Sequence, residues 1–164
     1  MGKQIGMSEL TEIHWPDYYH PKNSSVHVKE EIVVPSECER IWACIVQAPC
    51  WPNWHHRKTA VQITKGDTRE LHKGTMFNWI TKTMSFECTV VEYIPHERIA
   101  WKGKCGGVDM YHAWLLSPCD NGCRIVTEST QRGGLRWLTG RFVTKQVAAH
   151  HQQWLHLLCE QAKG

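Results

Sequence analysis

The feature that most constrains the fold is a close succession of short extended runs that ends in one long helical stretch. Six runs fall at approximately 58–64, 74–82, 84–95, 97–103, 108–118 and 122–130. They are rich in β-branched and aromatic residues and are bounded by turn chemistry at Lys65-Gly66-Asp67, Ile94-Pro95-His96 and Asp120-Asn121-Gly122. Linkers this short leave no room for parallel crossovers, so the runs read as an antiparallel meander. Gly133-Gly134 closes the sheet where a strand-to-helix crossing needs positive φ. From about Leu135 to Ala162 one helix follows, carrying Leu138, Phe142, Val143, Val147, Trp154, Leu155 and Leu158.

Upstream, Val26, Val28, Ile32 and Val34 alternate with His27, Lys29 and Glu31, the pattern of a half-buried strand. Pro35 ends it, and Ser36-Glu37-Cys38-Glu39 fits a capping box that opens a helix burying Ile41, Trp42, Ile45 and Val46. CWPNW (50–54) has room for one turn of helix. Residues 1–24 show no sustained period and read as an extension, with one short helical turn, lying against a single domain at 25–162. The expected class is therefore α+β: about seven antiparallel strands curved around a long C-terminal helix, with one or two short helices after the first strand.

Composition excludes several functions. The 19 basic and 16 acidic residues are scattered, so no basic stripe supports nucleic-acid binding. No stretch of about 18 apolar residues offers a membrane span, and MGKQIGMSEL lacks both an apolar signal core and the myristoylation pattern. A cytoplasmic protein is expected, with its eight cysteines reduced, as small hydrophobes or reactive thiols. Cys119 and Cys123 flank a turn and are the pair placed to meet across a hairpin. Nine tryptophans are an unusual supply of large rings for a core or pocket.

Strand parity nominates the polar candidates. In VDMYHAWLL (108–116), Met110, His112, Trp114 and Leu116 share one face, so His112 points where the apolar residues point. Histidine titrates near neutrality and suits acid–base work; the plainer alternative is a core histidine with its hydrogen bonds satisfied. Glu30 is in phase with the buried side of the first strand, where an unpaired carboxylate is costly. Glu92 shares parity with Phe86, Cys88 and Val90, whereas both faces of the run holding Glu128 are mixed. Trp79 shares a face with Phe77, and Trp101 with Ile99. Of the pairs His55-His56 and His150-His151, His151 is better placed to face inward beside Trp154, and no ligand spacing supports a metal.

Read together, IVVPSECERIW (32–42), WPNW (51–54), KGTMFNW (73–79), VVEYIPHERIAWKG (90–103), HAWLLSP (112–118) and HQQWL (151–155) resemble the SRPBCC superfamily, specifically its polyketide cyclase/dehydrase-like group. The superfamily includes START-like and birch-pollen-allergen-like proteins. The resemblance implies a helix-grip fold whose elongated cavity, between sheet and C-terminal helix, takes an apolar or aromatic small molecule. On that basis His112, Glu30 and Glu128 are the expected acid–base residues. Phe77, Trp79, Trp101, Met110, Trp114, His151 and Trp154 are expected to line the pocket. The implied activity is cofactor-independent cyclisation, dehydration or rearrangement in a monomer or homodimer. A non-enzymatic carrier or sensor is the alternative, and a co-chaperone-like interaction protein ranks last.

Overall fold

The computed structural model describes residues 11–55, 59–81 and 84–164, with side chains at 136–138 excepted. His56, the start of the expected 58–64 strand, the end of the 74–82 strand, the Leu138 side chain and residues 1–10 therefore lie outside the described residues. Seven strands form one antiparallel sheet: β1 (Val26–Val34), β2 (Ala60–Lys65), β3 (Met76–Ile80), β4 (Ser85–Ile94), β5 (Arg98–Cys105), β6 (Val108–Cys119) and β7 (Gly122–Gly133). Their order is β1-β7-β6-β5-β4-β3-β2, so the first strand closes against the last and the rest is a meander. The curved sheet wraps α3 (Arg136–Lys163), while α1 (Cys38–Val46) and α2 (Trp51–Trp54) fill the link between β1 and β2. This is the helix-grip architecture.

Register settles which side chains meet α3. Asp120 and Asn121 form the two-residue turn between β6 and β7, closed by the Cys119–Gly122 pair. Gly122 has φ +124°, and a Cβ there would collide with the Val34 carbonyl, so the turn demands glycine. Counting back from that turn pairs His112 with Ser129 and Trp114 with Thr127. Both glycines at the β7–α3 crossing have positive φ, Gly133 at +81° and Gly134 at +56°.

The side of α3 facing the sheet changes character along its length. Val143, Thr144, Val147 and Ala148 are half-buried, whereas His151, Trp154, Leu155, Leu158 and Ala162 are buried. The second half of α3 sits on a closed core of tryptophans, and the inward side chains of its first half stay partly solvent-accessible. Phe142, expected on the apolar stripe, is 66% exposed. It falls between the inward positions 140 and 143–144 and turns outward.

Part of the outer face of the sheet, over β5 and β6, is also covered. Residues 13–19 cross it, with Ile13, Trp15 and Tyr19 packing on Ala100, Tyr111 and Ala113. The rings of Trp15 and Tyr19 lie 5.5 and 5.3 Å from that of Tyr111. Polar groups fasten the strap: Thr130 Oγ1 donates to the Tyr19 carbonyl at 2.8 Å, Arg98 to the Glu12 carbonyl at 2.7 Å, and Tyr18 Oη to Asp109 at 2.6 Å. Two 3₁₀ turns, Asp17–Tyr19 and Pro21–Asn23, replace the single helical turn expected. Deleting residues 1–24 should lower unfolding free energy by at least about 2–3 kcal/mol, because it returns Tyr111 and its neighbours to water. Urea denaturation of the truncated chain checks this, and an unchanged midpoint would show that the strap contributes no stability.

Two local expectations are corrected. Helix α1 begins at Cys38 with Glu37 at the N-cap and no side-chain cap bond, so Ser36 stands one residue too early to serve in a capping box. Cys123 bonds to Cys38 of α1. It is on the inner face of β7, whereas Cys119 pairs with Gly122 and remains an exposed thiol, so neither a Cys119–Cys123 bridge nor a fully reduced set describes the structure.

Candidate functional site

Four buried polar side chains meet where the closed aromatic core gives way to the accessible half of α3. His112 (2% exposed) comes from β6, Thr127 and Ser129 from β7, and His151 (3%) from α3. His112 Nε2 shares a 2.8 Å hydrogen bond with Thr127 Oγ1, and His151 Nε2 shares one of 3.1 Å with Ser129 Oγ. The two imidazoles stack nearly parallel, 4.8 Å apart with 8° between their planes. Trp101, Trp114 and Trp79 surround the His112 ring at 5.0, 5.4 and 6.0 Å.

Burial sets the electrostatics. Desolvation pushes the His112 pKa well below 6.5, with His151 and His150 adding repulsion. His151 falls to about 3, mainly by desolvation and then by the neighbouring His150, with the Thr127 backbone pulling weakly the other way. His150 is lowered by burial as well, and its Nε2 accepts from the Trp154 indole at 2.8 Å, a bond that needs an unprotonated nitrogen. All three rings are therefore neutral at pH 7. They are proton acceptors or hydrogen-bonding groups there, and do not act as standing cations.

The linkage has a definite sign. Below pH 6.5 the unfolded histidines bind protons that the folded ones refuse, so unfolding becomes more favourable as pH falls. Stability is expected to drop from about pH 6.5 downward, by up to about 1.4 kcal/mol per pH unit for each such histidine. For His151 that loss continues to about pH 3. Denaturation midpoints at pH 7.5, 6.0 and 5.0 measure it, and His151→Gln should flatten the slope. A midpoint constant across that range would mean that the imidazoles are not buried as described.

The remaining sequence candidates are distributed as follows. Phe77, Trp79, Trp101, Met110 and Trp114 are all buried on the inner face, and Trp154 meets them from α3. Gly103 makes room for Met110, because a Cβ there would come within 2.9 Å of its terminal methyl. Glu30 keeps inward phase opposite Thr127, but it is only partly buried and its Oε1 accepts from Gln152 of α3 at 3.2 Å.

Glu128 is not brought to His112. It pairs in register with Ala113 on the outer face, where its carboxylate meets His27 Nε2 at 2.6 Å. Glu92 is outward too, because a bulge between Val90 and Glu92 reverses the parity and delivers it to His14 Nδ1 at 2.8 Å. Of the histidine pairs, the His55 ring lies tilted against Trp154 at 4.2 Å and shares a 3.3 Å bond with Thr59, while the His150 ring meets it edge-on at 5.2 Å. Among the described residues no group of three or more His, Cys, Asp or Glu is placed to hold a metal. An open groove of about 510 Å³ at the start of α1, lined by Pro35 to Glu39, Pro118 and Gly122, lies beside the disulfide and contains none of the candidates.

Thr127 and Ser129, the hydroxyl partners, were not nominated by parity. Both faces of β7 are buried from Ile125 to Gln131, the outer one in part by the strap at Thr130 and by His27 at Glu128, so burial does not alternate along it. The signal that finds them is the hairpin register set by Asp120-Asn121.

Comparison with known proteins agrees with this architecture. A hypothetical protein of Helicobacter pylori superposes with a TM-score of 0.84 at 24% identity, over 96% of this chain and 99% of that one. A START superfamily protein of Mycobacterium smegmatis gives 0.70 at 12% identity, over 84% of this chain and 97% of that one. The Zhui aromatase/cyclase of Streptomyces sp. R1128 gives 0.68 at 11%, over 84% and 93%. At these identities the likeness shows the fold alone. No curated protein matches the chain. The family model for polyketide cyclase / dehydrase and lipid transport proteins matches residues 25–162, from the first strand to the end of the last helix, and the chain belongs to that family.

Proposed function

We propose that the protein binds a hydrophobic, flat small molecule between α3 and the inner face of the sheet, and moves protons on it with His112. The observation carrying this reading is a neutral, buried imidazole held by Thr127 and ringed by Trp79, Trp101 and Trp114. Such a group takes a proton from a carbon beside a carbonyl and returns it to a departing hydroxyl, which leaves as water. Cyclisation or dehydration by this route needs no cofactor: confinement supplies the reactive geometry, and one positioned acid–base group adds about 10²–10⁴-fold. His151 and Ser129 form a second imidazole–hydroxyl pair stacked on the first, and Glu30 is a carboxylate at the rim.

A carrier or sensor is the second reading. It is favoured by the absence of a carboxylate bonded to His112 among the described residues, Glu30 being engaged with Gln152 and Glu128 with His27. An interaction role for the outer sheet face is disfavoured over β5 and β6, where the strap already covers it. No helix among the described residues is long and apolar enough to cross a membrane. In the cytoplasm, where this reading places the protein, reducing conditions favour the open form of the Cys38–Cys123 pair.

Native mass spectrometry of the purified protein, followed by organic extraction, tests both ligand readings. An aromatic or polyketide-like molecule released on denaturation is the expected result. A protein that neither carries such a molecule nor takes one up from a panel of aromatic ketones would sink them.

A further inference from the structure

Five of the six buried indole N–H groups among the described residues, all but that of Trp42, divide into two kinds. Those on the helices are satisfied: Trp51 Nε1 donates to the Ile45 and Cys44 carbonyls at 3.1 and 3.3 Å, and Trp154 Nε1 to His150 at 2.8 Å. Those on the sheet are not. Trp79, Trp101 and Trp114 are 4%, 0% and 1% exposed, and Nε1 of each has no hydrogen-bond partner. Buried donors are paired in the large majority of cases, so three orphans in one place call for an acceptor that arrives from outside the chain. All three belong to rings within 6.0 Å of the His112 ring.

We propose that the ligand is recognised through the indole N–H groups of Trp79, Trp101 and Trp114, and that it is a flat molecule bearing acceptor oxygens and no positive charge. This deepens the ligand-binding reading and rests on it. An indole nitrogen only donates, so its complement is a carbonyl, enolate or phenolate oxygen. The nearby hydroxyls do not compete, because Thr127 and Ser129 are engaged with His112 and His151. Ring faces on several sides suit a planar molecule.

The charge balance of the site points the same way. Glu128 and Glu92 are on the outer face with His27 and His14, and Glu30 is held by Gln152, so a buried cation would find no counter-ion among them. A cation over the ring faces would also leave the three N–H groups unpaired. An alkyl chain would do the same, so within a family described as both cyclase and lipid transport the site selects for the oxygenated aromatic.

The test uses three probes of one shape on the full chain: 2-acetylnaphthalene, 2-ethylnaphthalene and 1-(2-naphthyl)ethylammonium, titrated calorimetrically. The ketone is expected to bind at least about fivefold tighter than the hydrocarbon, the advantage of pairing one buried donor. The ammonium is expected to bind most weakly. Trp79→Phe, Trp101→Phe and Trp114→Phe should each be tried, and at least one should bring the ketone-to-hydrocarbon ratio toward one. Where phenylalanine leaves a hole that unfolds the protein, Trp101→3-benzothienylalanine keeps both fused rings and removes only the N–H. Equal binding of ketone and hydrocarbon overturns the proposal while leaving the ligand-binding reading intact, as does a ratio that all the variants leave unchanged. Preference for the ammonium overturns it in favour of cation recognition by ring faces. No saturable binding of any probe overturns the parent reading and this one with it.

Discussion

Trp51→Ala is expected to lower the unfolding free energy by about 3–5 kcal/mol, the range for emptying a fully buried large aromatic site. Trp51 is completely buried, and its ring meets Trp154, Trp101, Trp79 and Phe77 at 4.8, 5.8, 6.1 and 6.3 Å. It therefore joins α2, α3 and the inner sheet face in one packing unit. Its second role is to finish α1. The last four carbonyls of a helix lack intrahelical donors. Here the Ala43 carbonyl accepts from Gln47 N–H and that of Val46 from Leu71 N–H, while those of Cys44 and Ile45 accept from the Trp51 indole. Truncation removes the packing and leaves two carbonyls without that donor. Against a typical domain stability of about 5–15 kcal/mol, the loss brings the protein near unfolding at physiological temperature. Trp51→Phe should retain most of the packing, while Phe142→Ala, at a side chain 66% exposed, should change stability by less than about 0.5 kcal/mol. Urea denaturation under non-reducing conditions measures all three. A cost below about 1 kcal/mol for Trp51→Ala would show that the aromatic core is not assembled around it.

The importance of Trp51 was not readable from its local sequence, where WPNW offers four residues, one of them proline. The reason is physical: a residue in a one-turn helix has no period, so its burial depends wholly on elements far along the chain. Long periodic segments behaved oppositely. The meander, the terminal helix and the inward face of β6 all follow from alternation and turn chemistry, and His112, Trp114 and Met110 lie where parity puts them. Legibility failed where a rule of parity met an irregularity. A bulge after Val90 turned Glu92 outward, and burial on both faces made β7 unreadable by polarity. In β7 the information was still present. Once Asp120-Asn121 is taken as a two-residue turn, Thr127 and Ser129 must share the face of His112, and Glu128 must oppose it. The lesson is specific: in a strand buried on both sides, hairpin register carries what hydrophobic alternation cannot.

The same register frames the largest expected effect on activity. With the molecule that copurifies, or its precursor, as substrate, His112→Gln should reduce kcat by about 10²–10⁴-fold and leave affinity for a non-reacting analogue within a few-fold. Glutamine retains a hydrogen-bonding group toward Thr127, so the substitution removes proton transfer more than packing. The pH profile separates a chemical role from a structural one. Burial and the neighbouring His151 hold His112 unprotonated well below 6.5, so the base form persists as pH falls through 6. The rate should therefore stay level from pH 7.5 to below 6, within the range where the fold survives, and decline only under more acidic conditions. A descending limb near 6.5 would belong to an exposed histidine and remove His112 from the mechanism. Thr127→Val keeps the shape of the side chain while stripping His112 Nε2 of its partner. If the imidazole acts on substrate, this variant should lower kcat more than it raises KM, because it disturbs the orientation of the base. If the protein is a carrier, neither substitution has a rate to change, and both weaken binding of 2-acetylnaphthalene instead. Wild-type turnover that survives both His112→Gln and Thr127→Val would place the chemistry elsewhere on the inner face, with His151 and Ser129 the next pair to test.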